Sequence, residues 1–512
     1  MTTHIVGHQP QHPAVLDFLA ASERGPAALV VEGDAGIGKT TVWLRGVAAA
    51  QARGFQVLAA RVGQAESVLA YAAVADLLED VDDSVLAQLP DLQRLAIDRV
   101  LFRAGATGPP TDQRVTAAAF ATLLEAIAAD APTLLAVDDV QWLDPSSKAV
   151  LAFAARRIPG RLGVLVTERR ESGQSPSTSW LDLSAPDMVT RMRMRPLTVG
   201  ALHSVLVERF GHGFPRAALV RIAEVSGGNP FYAIELARVI DSQPAAQPVL
   251  PPTLAEVVRA RTGRYTGETA DVLLTLSCVS NATVDLLARA SDTTAEHVVT
   301  LLEDVETDGV IGIDGNRVGF THPLLARGTY ADATAARRRA AHRALAAVEQ
   351  LPELRARHLA LAATTSDDDT LAALDAAAQS ARERGAPAAA AELLELAIGL
   401  GGDKPLRVIR AAGDHFQAGD AARTRILIDD VLDEVRPGWL RAIALNLLAA
   451  AHIYDNQFLR ATELLNQAVE EAAEAPAVLA QTLMSLTFAR GMGAFADGTD
   501  ADGWVEEMTG TA

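Results

Sequence analysis

The first third of the chain alternates short, mainly apolar runs with longer stretches of helical spacing. The runs lie at residues 29–31, 55–61, 134–137 and 163–167, and a helix is predicted at 147–157. Apolar runs without polar alternation are typical of strands that are buried on both faces, as in parallel sheets. Because strands that alternate with helices form such sheets, this part of the chain is predicted to be an α/β domain.

Helical spacing dominates the rest of the chain. A turn at residues 226–229 precedes a helix at 231–240. Pro230 lies at the start of this helix, where the backbone N–H that proline lacks would have no partner within the helix. Between residues 254 and 335, helical segments flank the hairpin VIGIDGNRVGFTH, which has an Asp-Gly-Asn tip. This combination predicts a winged-helix domain.

Paired helices are predicted from residue 336 onward. Gly385 and Gly419 are 34 residues apart, and each precedes the apolar cluster of the next helix. The segment YDNQFLRATELLNQAVEEA repeats the pattern with a slightly longer spacing. A 34-residue period of paired helices is the tetratricopeptide signature, although its consensus tryptophan and tyrosine positions are largely absent.

These patterns predict a multidomain protein: an α/β P-loop NTPase with a parallel sheet, a helical lid, a winged-helix domain and an all-α, tetratricopeptide-like repeat region. The predicted boundaries are 1–175 for the NTPase core, 176–245 for the lid, 246–335 for the winged-helix domain, 336–495 for the repeats and 496–512 for a flexible tail.

Composition and charge narrow the possible partners. The 512 residues carry a formal charge of −19, from 64 acidic and 45 basic residues, which opposes general binding to nucleic acid. The single cysteine, Cys278, excludes a disulfide framework and is predicted to be a core residue. With no apparent targeting sequence or membrane-spanning run, we expect a cytoplasmic protein that contacts no membrane.

The nine residues GDAGIGKTT follow the first apolar run directly and fit the phosphate-binding loop. Glycines there permit left-handed backbone and turn N–H groups toward an anion. Lys39 is expected to face solvent until phosphate arrives, and Thr40 to bind Mg²⁺. The predicted ATP/ADP-binding residues are Gly33, Asp34, Ala35, Gly36, Ile37, Gly38, Lys39, Thr40 and Thr41.

A pair of acidic residues, Asp138 and Asp139, closes the run at 134–137. Taken alone, two aspartates after a strand are more often a turn signal, but the phosphate-binding loop favours a catalytic role. Asp138 is assigned to Mg²⁺, directly or through a water molecule, and Asp139 to polarising the attacking water. With Lys39 they form the predicted catalytic set. Arg169, after the strand at 163–167, is predicted either to face the γ-phosphate or to be one of two solvated arginines.

Six strings in this order resemble the large ATP-binding transcriptional regulators of the LuxR type, relatives of MalT within the STAND class of signalling NTPases. The strings are GDAGIGKTT, ESVLAYAAVADLL, LLAVDDVQWLDPSS, RPLTVGALHSVL, EVSGGNPFYAIELAR and FTHPLLARGTY. The resemblance implies an ATP-dependent switch with a lid, a winged-helix domain, a helical-repeat sensor and, usually, a DNA-binding helix-turn-helix at the C-terminus.

The resemblance also implies roles for particular residues. Gly228, Asn229 and Pro230 correspond to the lid motif, in which the proline packs against adenine. His322 corresponds to a histidine that contacts the β-phosphate of ADP; read from the sequence alone, it is almost equally well explained as the cap of the helix that begins at Pro323. Two departures are a Gly7–His8 pair where the family has Gly-Arg, and the absence of a helix-turn-helix pattern after Arg490.

Three functions remain open at this stage. The favoured one is a slow ATPase switch that couples nucleotide state to transcriptional signalling, with an effector ligand or protein bound by the repeats and nucleotide-dependent self-association. No direct contact with nucleic acid is expected, since the helical segment 295–308 has five acidic residues and no lysine or arginine. The alternatives are a nucleotide-bound scaffold without significant turnover and an ordinary ATP-coupled enzyme.

Overall fold

The computed structural model describes residues 12–63, 67, 69–103, 111–157, 160–170, 178, 180, 181, 183, 186–241, 253–365, 367–402 and 404–496. They fall into two compact units, which divide between Glu349 and Gln350. Residues 497–512 of the predicted flexible tail, the Gly7–His8 pair and most of the Ser/Pro-rich segment near residue 175 lie outside the described residues, whereas Ala496 ends the last helix.

A five-stranded sheet forms the centre of the first unit. The strands are β1 Ala27–Gly33, β2 Gln56–Arg61, β3 Thr133–Asp138, β4 Leu162–Arg169 and β5 Val189–Arg193, in the order β2-β3-β4-β1-β5. All paired strands are parallel. The predicted parallel sheet of a P-loop NTPase is confirmed, and its carboxyl edge carries the functional residues.

The fifth strand was not predicted. β5 pairs with β1 from Ala28↔Val189 to Glu32↔Arg193, so the sheet continues past the boundary placed at residue 175. Arginines interrupt its apolar pattern, but Arg191 donates to the buried carboxylate of Glu32 on β1 at 2.8 Å. This pairing stabilises a charged strand at the edge of the sheet.

Helices pack against the sheet, and its three central strands, β3, β4 and β1, are almost entirely buried. They are α1 His12–Ser22, α2 Lys39–Ala52, α3 Ala72–Leu78, α4 Asp83–Leu86, α5 Asp91–Val100, α6 Gln113–Asp130 and α7 Pro145–Ala155. Leu29, Leu134 and Leu165 of three strands are fully buried in one cluster with Val42 and Trp43 of α2. This packing fixes α2 behind the phosphate-binding loop.

The helical lid has three helices with their own core. They are α8 Val199–Phe210, α9 Arg216–Ser226 and α10 Pro230–Asp241. Leu202 and Leu206 of α8 pack with Ile222 of α9 and Leu236 of α10.

The winged-helix domain contains a three-stranded sheet, ordered β6-β8-β7, among six helices. The predicted hairpin is present, with Gly315 and Asn316 at its turn. The elements are α11 Leu254–Thr262, α12 Gly267–Ser277, β6 Ala282–Thr283, α13 Val284–Ala290, α14 Ala295–Thr307, β7 Ile311–Asp314, β8 Arg317–Phe320, α15 Pro323–Asp332 and α16 Ala335–Val348.

The last of these helices changes the predicted boundary at residues 335 and 336. Ala341 and Leu345 of α16 pack against Leu274 of α12 and Cys278, the residue that follows α12, so α16 belongs to the first unit. Cys278 is buried, as predicted.

The second unit is helical throughout its described residues. Its helices are α17 Pro352–Ala362, α18 Asp368–Glu383, α19 Pro387–Gly399, α20 Lys404–Gln417, α21 Ala421–Val431, α22 Trp439–Tyr454, α23 Phe458–Glu471 and α24 Pro476–Ala496. Gly385, Gly419 and Asn456, all with positive φ, form the turns of three successive helix pairs. This arrangement confirms a helical repeat region. No described helix of the chain is long and apolar enough to cross a membrane.

Candidate functional site

The phosphate-binding loop joins β1 to α2, so its N–H groups lie at the N-terminus of a helix. Gly36 has φ +77° and Gly38 φ +100°, conformations that side chains other than glycine rarely adopt. Gly33 differs from the expectation, because it lies in β1 without a positive φ. A Cβ atom there would lie 2.9 Å from Ile37 Cγ2, so this glycine is required by close packing instead.

Lys39 does not face solvent as the sequence analysis predicted. Only 6% of its surface is exposed, and its Nζ donates to the carbonyls of Gly33 and Asp34, both at 3.0 Å. Burial lowers the pKa of Lys39, and the charges of Asp139 and Asp138 oppose that shift. In the folded loop, carbonyl oxygens of the loop itself therefore satisfy the ammonium.

The two expected metal-binding side chains lie together. Asp138 ends β3, and its buried carboxylate accepts hydrogen bonds from the hydroxyls of Thr167 on β4, at 2.5 Å, and Thr40. The pKa of Asp138 is raised, mainly by burial and secondly by the negative charge of the neighbouring Asp139. The hydrogen bonds from the two hydroxyls act in the opposite direction and lower this pKa.

Asp139 adopts a left-handed conformation, with φ +60° and ψ +51°, which redirects the chain after β3. Its N–H donates to Thr167 Oγ1 at 2.8 Å. Gln141 Nε2 donates to Asp139 Oδ1 at 2.9 Å, while Gln141 Oε1 accepts from the N–H of Arg169 at 2.9 Å. One glutamine therefore links the proposed catalytic acid to the end of β4.

Arg169 is the last residue of β4, and its charge contributes to lowering the pKa of Lys39, after the larger effect of burial. Neither of the two predictions for this arginine, at the γ-phosphate or in solvent, is decided by this, and both stay predictions.

The lid contacts the phosphate-binding loop through the segment around Pro230. Asn229 Nδ2 donates to the carbonyl of Ala35 at 2.9 Å, and the N–H of Phe231 donates to the carbonyl of Gly36 at 3.2 Å. Asn229 Oδ1 also accepts from the N–H of Tyr232 at 3.1 Å and so caps α10. Pro230 is buried at the start of this helix.

The winged-helix domain contacts the same segment of the lid through His322. Its ring stacks on Phe231, with centroids 3.8 Å apart and an interplanar angle of 19°. Burial, then the charge of Lys39, lowers the pKa of His322 to about 4, so the imidazole is neutral at pH 7. Its Nδ1 accepts from the N–H of Leu324 at 3.2 Å, which confirms the helix cap and places the ring proton on Nε2.

Sequence reasoning missed three residues of this site. Thr167 and Gln141 orient the acid pair, and Phe231 joins the lid to His322. Gln141 and Phe231 lie within the quoted strings, and Thr167 ends the predicted strand at 163–167, but none of the three has a distinctive chemistry on its own.

The geometry agrees with the comparison of this chain with known domain families. Residues 4–167 match the AAA ATPase domain. The site therefore lies in an ATPase domain of the P-loop type, which binds ATP or ADP. The matched range ends inside β4, and the lid and winged-helix contacts come from residues beyond it.

Similarity to individual proteins is remote. An uncharacterized protein of Rhizobium meliloti is 43% identical over 74 residues, which are 14% of this chain and 7% of the length of that relative. A signal transduction ATPase with numerous domains from Pyrococcus horikoshii, with a tetratricopeptide repeat sensor, is 13% identical. That comparison covers 96% of this chain and 75% of the other, with a TM-score of 0.43.

A Walker-type ATPase of Pyrococcus abyssi is 14% identical, with a TM-score of 0.30. The comparison covers 62% of this chain and 95% of the other.

The residues of the AAA ATPase domain suit Mg²⁺. Oxygen ligands are what this ion prefers, and it needs only one or two from the protein. Thr40 and Asp138 supply a hydroxyl and a carboxylate that already contact each other.

Proposed function

We propose that this protein is an ATP-binding, slowly hydrolysing signalling switch of the LuxR-type STAND regulators. The observation that carries the proposal is the convergence of two distant segments at the phosphate-binding loop. Asn229 and Phe231 of the lid bond its carbonyls, and His322 of the winged-helix domain lies within electrostatic reach of Lys39. An enzyme that only hydrolyses ATP has no need for such contacts.

We assign a separate role in ATP hydrolysis to each of Lys39, Asp138 and Asp139. Lys39 exchanges its loop carbonyls for phosphate oxygens, and Thr40 with Asp138 would hold Mg²⁺, which neutralises charge on the phosphates when bound. Asp139 polarises the attacking water and is held for this by Gln141. Arg169 acts at the γ-phosphate, where its guanidinium stabilises the negative charge that develops in the transition state.

We assign to His322 and Pro230 the contacts with nucleotide that differ between the closed and the open state. The neutral imidazole presents Nε2–H as a donor, and among the described residues no hydrogen bond to that atom is present. In the ADP-bound closed state this donor contacts the β-phosphate, while Pro230 packs against adenine. A contact made in only one state shifts a two-state equilibrium by its differential free energy.

The output of the switch is transcriptional signalling in the cytoplasm. The helical repeats, of tetratricopeptide type, bind an effector ligand or protein, and opening of the closed state permits self-association. Direct contact of the described winged-helix domain with nucleic acid is not proposed, because the five acidic residues at 295–308 repel a phosphate backbone.

Phosphate release under steady-state conditions tests the class of function. We expect slow turnover, which falls by about two orders of magnitude in Asp139→Asn while ATP stays bound. Asparagine suits this position, since it tolerates the left-handed backbone of Asp139. Lys39→Ala serves as the control that binds no nucleotide. Absent turnover in the wild type would favour a scaffold, and fast unregulated turnover an ordinary enzyme.

A further inference from the structure

Phe231 is shared between three parts of the first unit. It is the second residue of α10, so it belongs to the lid by sequence. Its N–H bonds the carbonyl of Gly36 in the phosphate-binding loop. Its side chain, however, packs against the core of the winged-helix domain and stacks on His322.

The contact with the loop leaves no spare space. A Cβ atom on Gly36 would lie 2.9 Å from Phe231 Cβ, so the loop backbone and the first turn of α10 touch directly. A displacement of the loop backbone at Gly36 toward α10 would therefore meet Phe231. The rings of Phe231 and His322 are nearly parallel, with centroids 3.8 Å apart, so a displaced Phe231 changes the contact of the imidazole.

We propose that Phe231 is a positioning residue that clamps the imidazole of His322 beside the phosphate-binding loop, so that loop, lid and winged-helix domain respond together. Nδ1 of His322 is fixed by the N–H of Leu324, and the phenyl ring of Phe231 fixes the plane of the imidazole. Together they define the direction in which Nε2–H points. The inference deepens the proposed function and rests on it only for its effect on ADP.

The first test needs no nucleotide. Histidine-labelled full-length protein is titrated by NMR, with the His322 signal assigned by its loss in His322→Asn. We expect a pKa near 4 and ring-current-shifted proton signals in the wild type. Phe231→Ala moves the pKa toward the ordinary 6.5 and removes the ring-current shift, whereas Phe231→Tyr retains both.

Phe320 provides the matched control. Like Phe231 it is a partly buried phenylalanine that packs against the winged-helix core, and it lies on β8 only two residues before His322. Phe320→Ala is expected to keep the His322 ring-current shift. Equal changes in both alanine variants would overturn the clamp, since they would reflect loosening of the core, and so would an unchanged His322 signal in Phe231→Ala.

The second test links the clamp to nucleotide. If Phe231 acts through His322, Phe231→Ala lowers the affinity for ADP about tenfold. The double variant, which also carries His322→Ala, then binds ADP no more weakly than His322→Ala alone. Additive losses would overturn the inference. Unchanged ADP affinity in His322→Ala would instead refute the proposed role of that histidine, and the NMR titration would still decide the clamp. Should Phe231→Ala fail to fold, Phe231→Leu replaces it in both tests.

Discussion

Gly36→Ala is expected to release the lid from the phosphate-binding loop in the nucleotide-free protein. The new methyl group meets Phe231 Cβ at 2.9 Å and Asn229 Oδ1 at 3.0 Å, so the first turn of α10 must shift. The backbone at φ +77° adds strain of about 1–2 kcal/mol for any residue with a Cβ atom.

Gly54→Ala separates these two effects. Gly54 has φ +79°, and nothing lies within 4 Å of a Cβ atom placed there, so this variant introduces the strain without the contact. The difference between the variants is the loss of the bonds from Asn229 Nδ2 and the N–H of Phe231. At about 0.5–1.5 kcal/mol each, they amount to about 1–3 kcal/mol.

Hydrogen exchange measured by mass spectrometry reports this difference locally. A loss of about 1–3 kcal/mol increases opening about 5- to 150-fold, so amides of α10 should exchange faster by that factor in Gly36→Ala than in Gly54→Ala. Peptides from the second unit serve as the internal reference. Equal exchange of α10 in the two variants would show that the lid does not depend on this contact.

Three further predictions concern the acid pair and His322. Gln141→Leu should lower turnover about 10- to 100-fold with unchanged ATP affinity, because Asp139 loses the donor that orients it; titration calorimetry and phosphate release check this. Thr167→Val should raise the pKa of Asp138 further, so the acidic limb of the pH–rate profile moves to higher pH. His322 has a pKa of about 4 when folded and 6.5 when unfolded, so stability falls as the pH decreases from 6.5 to 4. Replacing His322 with glutamine should flatten that dependence in denaturant titrations at pH 7 and pH 5.

The elements that could be predicted from sequence are those in which local pattern and tertiary environment agree. The buried strands are uninterrupted apolar runs, and the hairpin turn has Gly315 and Asn316 between its alternating flanks. The phosphate-binding loop was recognised because chemistry requires those residue types at that spacing.

The missed features depend on partners that are distant in sequence. β5 contains two arginines, which are unusual in a strand of a parallel sheet. One of them, Arg191, is stabilised there by its hydrogen bond to Glu32 on another strand. Helical spacing in α16 gave no indication that Ala341 and Leu345 pack on the winged-helix domain rather than on the repeats. Lys39 was expected in solvent because its acceptors are backbone carbonyls, which no sequence pattern reveals.

The affinities of ADP and ATP for the wild type and His322→Ala, measured by titration calorimetry, test the central claim most directly. If His322 contacts the β-phosphate only in the closed state, the variant should lose about 5- to 150-fold in ADP affinity, corresponding to about 1–3 kcal/mol, and less in ATP affinity. Light scattering on the same samples should show increased self-association of the variant. Equal losses for both nucleotides, or none, with an unchanged molar mass would contradict the account and leave His322 as the cap of α15.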